Sequence, residues 1–523
     1  MVNMFPELVP EGGKQPAFLM RCPGLRRKVT VGSGPIRGLW QLNNILYVVS
    51  GGSLYSVTTS GTITLLGTIA GQNPVSMTDN GTQIFIAADP AGYIFNASTG
   101  VFAQITDPDY PGASVVDFLD SYFVFIQPNS QKIWVTSLLD GTSVDPLDFA
   151  SAEGDPDNII SMIVDHREVW LFGDNSTEVW YNAGGPDFPL ARIQGAFNEL
   201  GCAARYSVAK MNNQIYWLGK DARGAGVVYQ ANGYMGQRIS THAVEWQIQQ
   251  YINISDAVAY TYQQDGHSFY VLTFPSANQT WVYDAVTGAW HERAAWVNGA
   301  WARQRGTSQV FYNGEVLVGD YENGNIYAYD LTVYADDDEP QRWLRSWRAL
   351  PTGENTLRRT AQHALQLDCE TGVGLEQYPG YDAQDLTAED GAILLAEYLQ
   401  NDLTTESGET LTSEASGGLA VLADAPDPPF WYTPPVYLTS TSYLASPGYE
   451  PEVMLRWSDD GGHTWSNEHW RKMGRIGQFG YRTIWRRLGM TTKLRDRVYE
   501  VSGTAPVKLA IMGAELQVSG TNA

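Results

Sequence analysis

Near the C-terminal end of this 523-residue chain stands SDDGGHTW, from Ser458 to Trp465. Ser458, Asp460, Gly462, Thr464 and Trp465 fit the Asp-box pattern S-x-D-x-G-x-T-W at each fixed position. A carboxylate in such a motif could belong to a pair that cleaves a glycosidic bond. The same spacing also describes a self-contained hairpin. Gly461 and Gly462 permit positive φ. The Asp460 carboxylate can accept hydrogen bonds from the turn's own backbone, and the Trp465 ring can cover the hairpin. These five residues are expected to form a structural turn, and no catalytic set is assigned.

Other chemistry finds less support. Sialidases carry several such boxes, an arginine cluster opening in Arg-Ile-Pro, a Tyr/Glu nucleophile pair and an Asp acid. This chain has a single complete box, and Arg21-Cys22-Pro23 is only a near miss. A carbohydrate-binding or sialidase-like propeller protein therefore stays as an alternative reading, with a generic propeller interaction scaffold as another. The phosphate-cradling pattern G-x-x-x-x-G-K-[ST] is absent, as is H-E-x-x-H. GSGPIRG at 32–38 has the wrong glycine spacing for a dinucleotide and leads into a strand. His463 and His469 lie near Asp459 and Asp460, but they read as polar hairpin positions rather than metal ligands. DYENGN at 320–325 resembles a calcium loop only loosely, with its Gly one position early. No metal or cofactor is expected. Cys22, Cys202 and Cys369 are odd in number and far apart, which predicts buried free thiols rather than a disulfide framework or zinc site and suits a reducing cytoplasm.

The net charge is −24, which argues against a large surface for gripping DNA. Its distribution is uneven. No Lys or Arg occurs between Arg359 and Arg456, whereas ten occur from Arg456 to Arg497. Among the ten, Arg471, Lys472, Arg475, Arg486 and Arg487 are candidate interface residues facing an acidic partner surface; a solvated strand face is the plainer reading. No run of about 18 apolar residues exists, so membrane anchoring is not expected. The N-terminal stretch has no secretory-signal pattern.

The elements that would position these residues are short strands. Gly and aromatics are abundant and charged residues few, which favours an all-β chain. From Leu42 onward a unit recurs: an apolar strand, a tight turn, an aromatic-rich strand and a short third strand. Its turns begin at Asn43, Asn80, Asp120, Asp165, Asn212, Asp265 and Asn313, 37 to 53 residues apart. Each uses residues that tolerate left-handed backbone angles. The spacing suits one four-stranded blade per unit of a β-propeller. About seven blades are expected over 39–335. Six or eight fit as well, because the fourth strand of each unit is poorly marked. Residues 1–38 read as a lead-in. Residues 336–378 and 430–523 read as a discontinuous β-sandwich domain, interrupted by an acidic insertion at 379–429, either a small β insert or a surface loop.

Several stretches together resemble the packaged-DNA stabilisation, or tail-hub (nozzle), proteins of short-tailed bacteriophages. They are RCPGLRRKVTVGSGPIRGLW (21–40), VDHREVWLFGDNSTEVWYNAGG (164–185), VGDYENGNIYAYDLTVYADDDEPQRW (318–343) and LRWSDDGGHTWSNEHWRKMGRIGQFGYRTIWRRLG (455–489), followed by APVKLAIMGAELQV. They stand in the family's order; the acidic insertion does not match its pattern. The resemblance implies a non-enzymatic virion protein, assembled in the host cytoplasm as a ring, usually hexameric, below the portal-adaptor protein. Such rings close the tail, retain packaged genomic DNA and conduct it on ejection without binding it specifically. They also dock tail fibres or spikes and a needle or plug protein.

Overall fold

Paired left-handed residues set the framework. Asn43 and Asn44 have φ of 52° and 59°, Asn212 and Asn213 of 53° and 57°, and Asp265 and Gly266 of 51° and 81°. Each pair joins two strands by a two-residue loop, the geometry that matches the right-handed twist of the flanking strands. Two turns differ by a residue from the sequence reading: the Asn80 amide donates to the Gln83 carbonyl at 3.1 Å, which puts Gly81-Thr82 at the tip in place of Asn80-Gly81, and the other shift is at Asp165. The register pairs Asp165 with Glu168, so the loop is His166-Arg167 rather than Asp165-His166. The computed structural model describes residues 1–9, 16–185, 188–221, 224–337, 339–348, 359–371, 450–474, 478, 480–491 and 497–520. Arg475 and the whole acidic insertion at 379–429 lie outside the described residues.

Two compact units are present: Met1–Met20 with Arg26–Tyr329 and Trp343–Arg345, and Arg21–Leu25 with Asp330–Arg342 and Ser346–Ala523. The first contains seven antiparallel blades. Blade 1 is Ile36–Leu42, Ile45–Ser50, Ser53–Val57 and Ile63–Thr68; blade 2 is Ser76–Asp79, Gln83–Ala88, Ala91–Asn96 and Val101–Gln104. Blade 3 is Val115–Leu119, Tyr122–Ile126, Lys132–Val135 and Phe149–Ser151; blade 4 is Ile159–Asp165, Glu168–Gly173, Thr177–Asn182 and Leu190–Asn198. In blade 5 the inner strand is broken into Gly201–Cys202 and Ala209–Met211, both pairing with Gln214–Asp221, before Gly224–Asn232 and Met235–Arg238. The helix His242–Gln249 leads to blade 6, made of Val258–Gln264, His267–Phe274, Gln279–Asp284 and Ala289–Glu292. Thr241 caps that helix through a hydrogen bond accepted from the Val244 amide.

Blade 7 has three strands of its own, Gly306–Tyr312, Glu315–Asp320 and Asn325–Asp330. Its fourth is Gly24–Thr30, supplied by the lead-in segment. Glu315 receives Arg26 at 2.8 Å and Lys28 at 2.7 Å across this closure. Blade 7 also meets blade 1: the Tyr312 hydroxyl donates to the Asn44 carbonyl at 3.1 Å. The ring is thus held by chain from both of its ends.

The core lies between neighbouring blades. Val124, Ile133, Val169 and Leu171 fill the space between blades 3 and 4, and Tyr47, Leu54, Ile84 and Ile86 do so between blades 1 and 2. Outermost strands such as Ile63–Thr68 and Val101–Gln104 are largely exposed. A single blade has two apolar faces and no means of covering both, so burial is completed only by its neighbours.

The second unit is a β-sandwich. One sheet orders Leu509–Gly520, Thr360–Thr371 and Thr483–Met490; in the other, Glu452–Ser458 lies between Val498–Gly503 and His469–Lys472. Leu365, Leu367, Val453, Leu455, Trp485 and Val501 are buried. The Tyr499 hydroxyl of one sheet donates to Gln362 Oε1 of the other at 3.2 Å. Cys22 and Cys202 are buried and Cys369 is half-buried, none of them in a disulfide. Burial pushes the Cys202 thiol up to about 11. No helix among the described residues is long and apolar enough to cross a membrane.

Candidate functional site

The Asp-box follows strand Glu452–Ser458 as a turn closed on itself. Gly461 and Gly462 take φ of 79° and 108°. Asp460 Oδ1 accepts from Ser458 Oγ at 2.6 Å, from the His463 amide at 2.9 Å and from the Thr464 amide at 2.8 Å. Asp460 Oδ2 accepts from Thr464 Oγ1 at 2.6 Å. Ser458 Oγ in turn accepts from the Gly462 amide at 2.8 Å. With the Ser458 and Thr464 hydroxyls as the leading causes, the carboxyl is held well below the usual carboxylate range. A general acid needs a proton near the working pH, and this arrangement favours the ionised form. Trp465 is half-buried, with the Arg456 guanidinium 4.6 Å from its ring centroid.

The adjacent carboxylate has another fate. Asp459 pairs with buried Arg497 through two bonds, Nε–Oδ1 at 2.6 Å and Nη2–Oδ2 at 2.9 Å. Arg497 also donates to the carbonyls of Leu488 at 2.7 Å and Met490 at 3.2 Å. His469 stacks on Trp457 at 4.7 Å, while His463 is exposed. Two histidines and two aspartates close in sequence are therefore drawn into separate contacts. Among the described residues no group of three or more His, Cys, Asp or Glu is placed to hold a metal ion. In the DYENGN stretch, Asp320 accepts from the Tyr327 hydroxyl and the Glu322 amide, each at 2.7 Å.

Arg21 is not aimed at an open site. It is fully buried and donates to the backbone carbonyls of Ala505, Val507, Tyr334 and Gln341. Burial lowers its pKa to about 10. Its guanidinium ties three separate stretches of the second unit and is not free to take a substrate carboxylate.

The basic residues lie on strands at the edges of the two sheets. Arg471 and Lys472 are exposed on His469–Lys472, and Arg486 and Arg487 are exposed on Thr483–Met490. The strands are joined where the Trp485 indole donates to the His469 carbonyl at 2.7 Å and Thr483 Oγ1 to the Lys472 carbonyl at 3.2 Å. Trp470 and Met490, both about half exposed, share these strands. The result is a basic corner with apolar members. Lys472 pairs with Glu450, while Arg471 donates to the Trp470 carbonyl at 2.9 Å.

Two groups escaped the reading of the sequence. One is the pair of buried guanidinia, Arg21 and Arg497, whose partners are remote in sequence or scattered along it. The other is a polar groove on the first unit involving Asp120, His166 and Arg167, which in sequence carry only the signal of turn residues. The unusual makeup of the His166-Arg167 turn, with neither Asn nor Gly, was the available clue.

Among solved structures, the chain is similar to the computationally designed Ika8 protein at 14% identity, over 58% of this chain and 100% of that one, with a TM-score of 0.38. The N-terminal domain of Nup159 matches at 11% identity, over 62% of this chain and 97% of that one, with a TM-score of 0.37. The extracellular domain of BT4673 from B. thetaiotaomicron matches at 11% identity, over 91% of this chain and 58% of that one, with a TM-score of 0.41. No curated protein matches the chain. Two family models match in succession: "Bacteriophage P22 Gp10, beta-propeller" over residues 1–334 and "Bacteriophage P22 Gp10, beta-sandwich" over residues 438–519. With its propeller and its sandwich each matched in that order, the chain belongs to the bacteriophage P22 Gp10 family of structural phage proteins.

Proposed function

We propose that this protein is a tail hub, or nozzle: a homo-oligomeric ring, hexameric by resemblance, seated below the portal-adaptor protein in the virion of a short-tailed phage. The observation that carries the reading is the pair of family matches, to the propeller and then to the sandwich. In this role the ring closes the tail, retains packaged DNA, conducts it on ejection, and docks fibres or spikes and a needle or plug. It assembles in the host cytoplasm and performs no catalysis. The Asp-box serves as a locally closed hairpin within the C-terminal sandwich.

Charge supports the passive conduit. The chain carries −24, multiplied around a ring. A lumen lined with Lys and Arg would gain affinity for phosphates by releasing counterions, and would hold the DNA it must pass. An acidic lumen repels DNA weakly, since charges beyond about 8 Å are largely screened at physiological salt. The basic corner of Arg471, Lys472, Arg486 and Arg487 is assigned to docking an acidic surface of a neighbouring copy or of the adaptor, and Arg475 is a further candidate by its place in the sequence. Contacts of that kind govern association rate and its salt dependence.

Negative-stain imaging of the purified chain and of assembled particles tests the reading. Rings are expected, and no shift of duplex DNA at submicromolar protein in 0.15 M salt. A monomer within particles would overturn the hub. A gel shift that persists in that salt would overturn the sliding channel alone.

A further inference from the structure

The hairpin turns of the seven blades are not alike. Those of blades 1, 2, 5, 6 and 7 contain Asn or Gly, the residues that best tolerate positive φ. Blade 3 instead turns on Asp120-Ser121, with φ of 45° and 79°, and blade 4 on His166-Arg167, with φ of 48° and 62°. Bulky residues in this region are uncommon and strained. These two turns line one groove of about 520 Å³, together with Glu168, Tyr181, Asn182 and Ile193. The two blade turns that lack both Asn and Gly thus border the same groove, through Asp120 on one side and His166 and Arg167 on the other.

The polar groups of the groove are fixed in place yet keep spare bonding capacity. Arg167 grips Asp120 with Nε at 3.0 Å and Nη2 at 2.9 Å, and its Nη1 has no partner among the described residues. Asn182 Nδ2 donates to the same carboxylate at 3.2 Å. Glu168 Oε1 accepts from the Tyr234 hydroxyl at 2.7 Å, leaving Oε2. His166 Nδ1 meets Asp165 at 2.7 Å, leaving Nε2. Tyr181, opposite Glu168 in the register, is 43% exposed.

We propose that this groove binds a neutral saccharide. The Tyr181 ring stacks on the apolar face of the sugar. Asp120 and Glu168 accept from its hydroxyls, and Arg167 Nη1 donates to them. The lining carries one guanidinium against two carboxylates, with Asp165 beside them, so an anionic ligand is repelled. Arg167 is paired with Asp120 at 3.0 and 2.9 Å, so that carboxylate's charge is already offset and a cation gains little from it. Tyr181 and Ile193 offer too little apolar surface for a lipid or steroid. A ligand with an apolar face and a rim of groups that both donate and accept fits this chemistry, and preorganised partners reduce the cost of holding it. The proposal stands apart from the hub reading, which needs no sugar.

Saturation-transfer NMR on the full chain tests it, with maltotetraose, cellotetraose and chitotetraose as neutral probes and sialyllactose as an anionic one. Transfer to at least one neutral probe is expected, weaker by about tenfold or more in Tyr181→Ala, and none to sialyllactose. The decisive variant replaces both turn residues, His166→Asn with Arg167→Gly. It relieves the backbone, so its melting temperature should match or exceed the parent's, while saccharide binding is lost. Retained binding in this folded double variant overturns the proposal. So does an absence of transfer to all three neutral probes, or stronger transfer to sialyllactose. Ring formation is read separately by imaging, so either idea can fail without the other.

Discussion

Arg37 in the propeller and Arg21 in the sandwich unit do the same chemistry over different distances along the chain. Arg37 donates to the carbonyls of Gly51, Ala70 and Asn73, at most 36 residues away. Arg21 donates to Ala505, Val507, Tyr334 and Gln341, more than 300 residues away. Each guanidinium satisfies carbonyls that would otherwise be buried without donors. In the propeller this is repair within one blade and its connection to the next, because most of the apolar core is supplied by repetition. The sandwich unit is gathered from three separate stretches. There a long, forked, five-donor side chain can register strands that no hairpin connects.

The largest expected effect is therefore at Arg21. Arg21→Met should destabilise the sandwich unit by about 3–5 kcal/mol, since several buried carbonyls lose a charged donor together. Urea unfolding followed by tryptophan fluorescence would show an early transition for that unit. Asp459→Ala comes next, at about 3 kcal/mol, because it leaves the buried Arg497 charge without its carboxylate. Arg37→Met should cost about 1–3 kcal/mol, its carbonyl partners Asn73 and Ala70 lying nearer the surface. An Arg37 loss as large as that of Arg21 would break the distinction between local repair and long-range registry.

The propeller does borrow distant chain on blade 6, and that contact is sensitive to pH. The N-terminal strand Met4–Leu8 places Phe5 4.9 Å from His267 and 6.2 Å from His291, ring to ring. His267 lies between Glu7 at 2.6 Å and Asp284 at 2.9 Å. Although burial opposes the charge on His267, these two carboxylates raise its pKa. His291 is fully buried, and among the described residues neither of its nitrogens has a hydrogen-bond partner. Burial first, then Arg293, the Met1 amine and His267, hold it well below the usual histidine range. Glu292 also borders this cluster, its carboxyl raised by burial.

The two histidines act with opposite sign. His267 contributes stability that is full below the unfolded value of about 6.5 and is lost as pH rises through its higher folded value. His291 stays neutral in the fold while the unfolded chain takes up a proton, so it costs stability as pH falls below about 6.5, at up to about 1.4 kcal/mol per pH unit. His291→Phe should abolish that acid loss, and His267→Gln should steepen the net loss. Denaturant midpoints between about pH 5 and pH 7.5 check both. Parallel curves for the parent and His291→Phe would remove His291 from the account.

Where the structure was legible in the sequence, the cause was local. Asn43-Asn44, Asn212-Asn213 and Asn313-Gly314 announce hairpins because the residues themselves accept the required angles, and the repeat of such turns counts the blades. The fourth strand of blade 7 was not legible, because Gly24–Thr30 pairs with chain about 300 residues later and carries no turn signal. Nor was the groove. Asp120 and Arg167 are brought together only by the packing of adjacent blades, which depends on the whole ring. The Asp-box lay at the opposite extreme, since its donors and acceptors fall within seven residues and spacing alone anticipates the contacts.

Asp459 and Asp460 sharpen that contrast, being neighbours in sequence with opposite dependence on the rest of the molecule. Asp460 takes its four hydrogen bonds from Ser458, His463 and Thr464, all within its own turn. The turn is at the surface, with His463 and Thr464 exposed, so water can replace what an alanine removes. Asp460→Ala should therefore give the smallest effect of the series. The urea midpoint of the sandwich unit should stay close to that of the parent, while amide exchange at His463 and Thr464 quickens because their acceptor is gone. The carboxyl is also held low, so whatever stability the turn draws from it is present above the unfolded value of about 3.9 and lost only as pH falls below that. No change should appear between pH 5 and pH 8. A midpoint shift as large as that of Asp459→Ala would mean that the hairpin braces the sheet behind it and is more than a local closure.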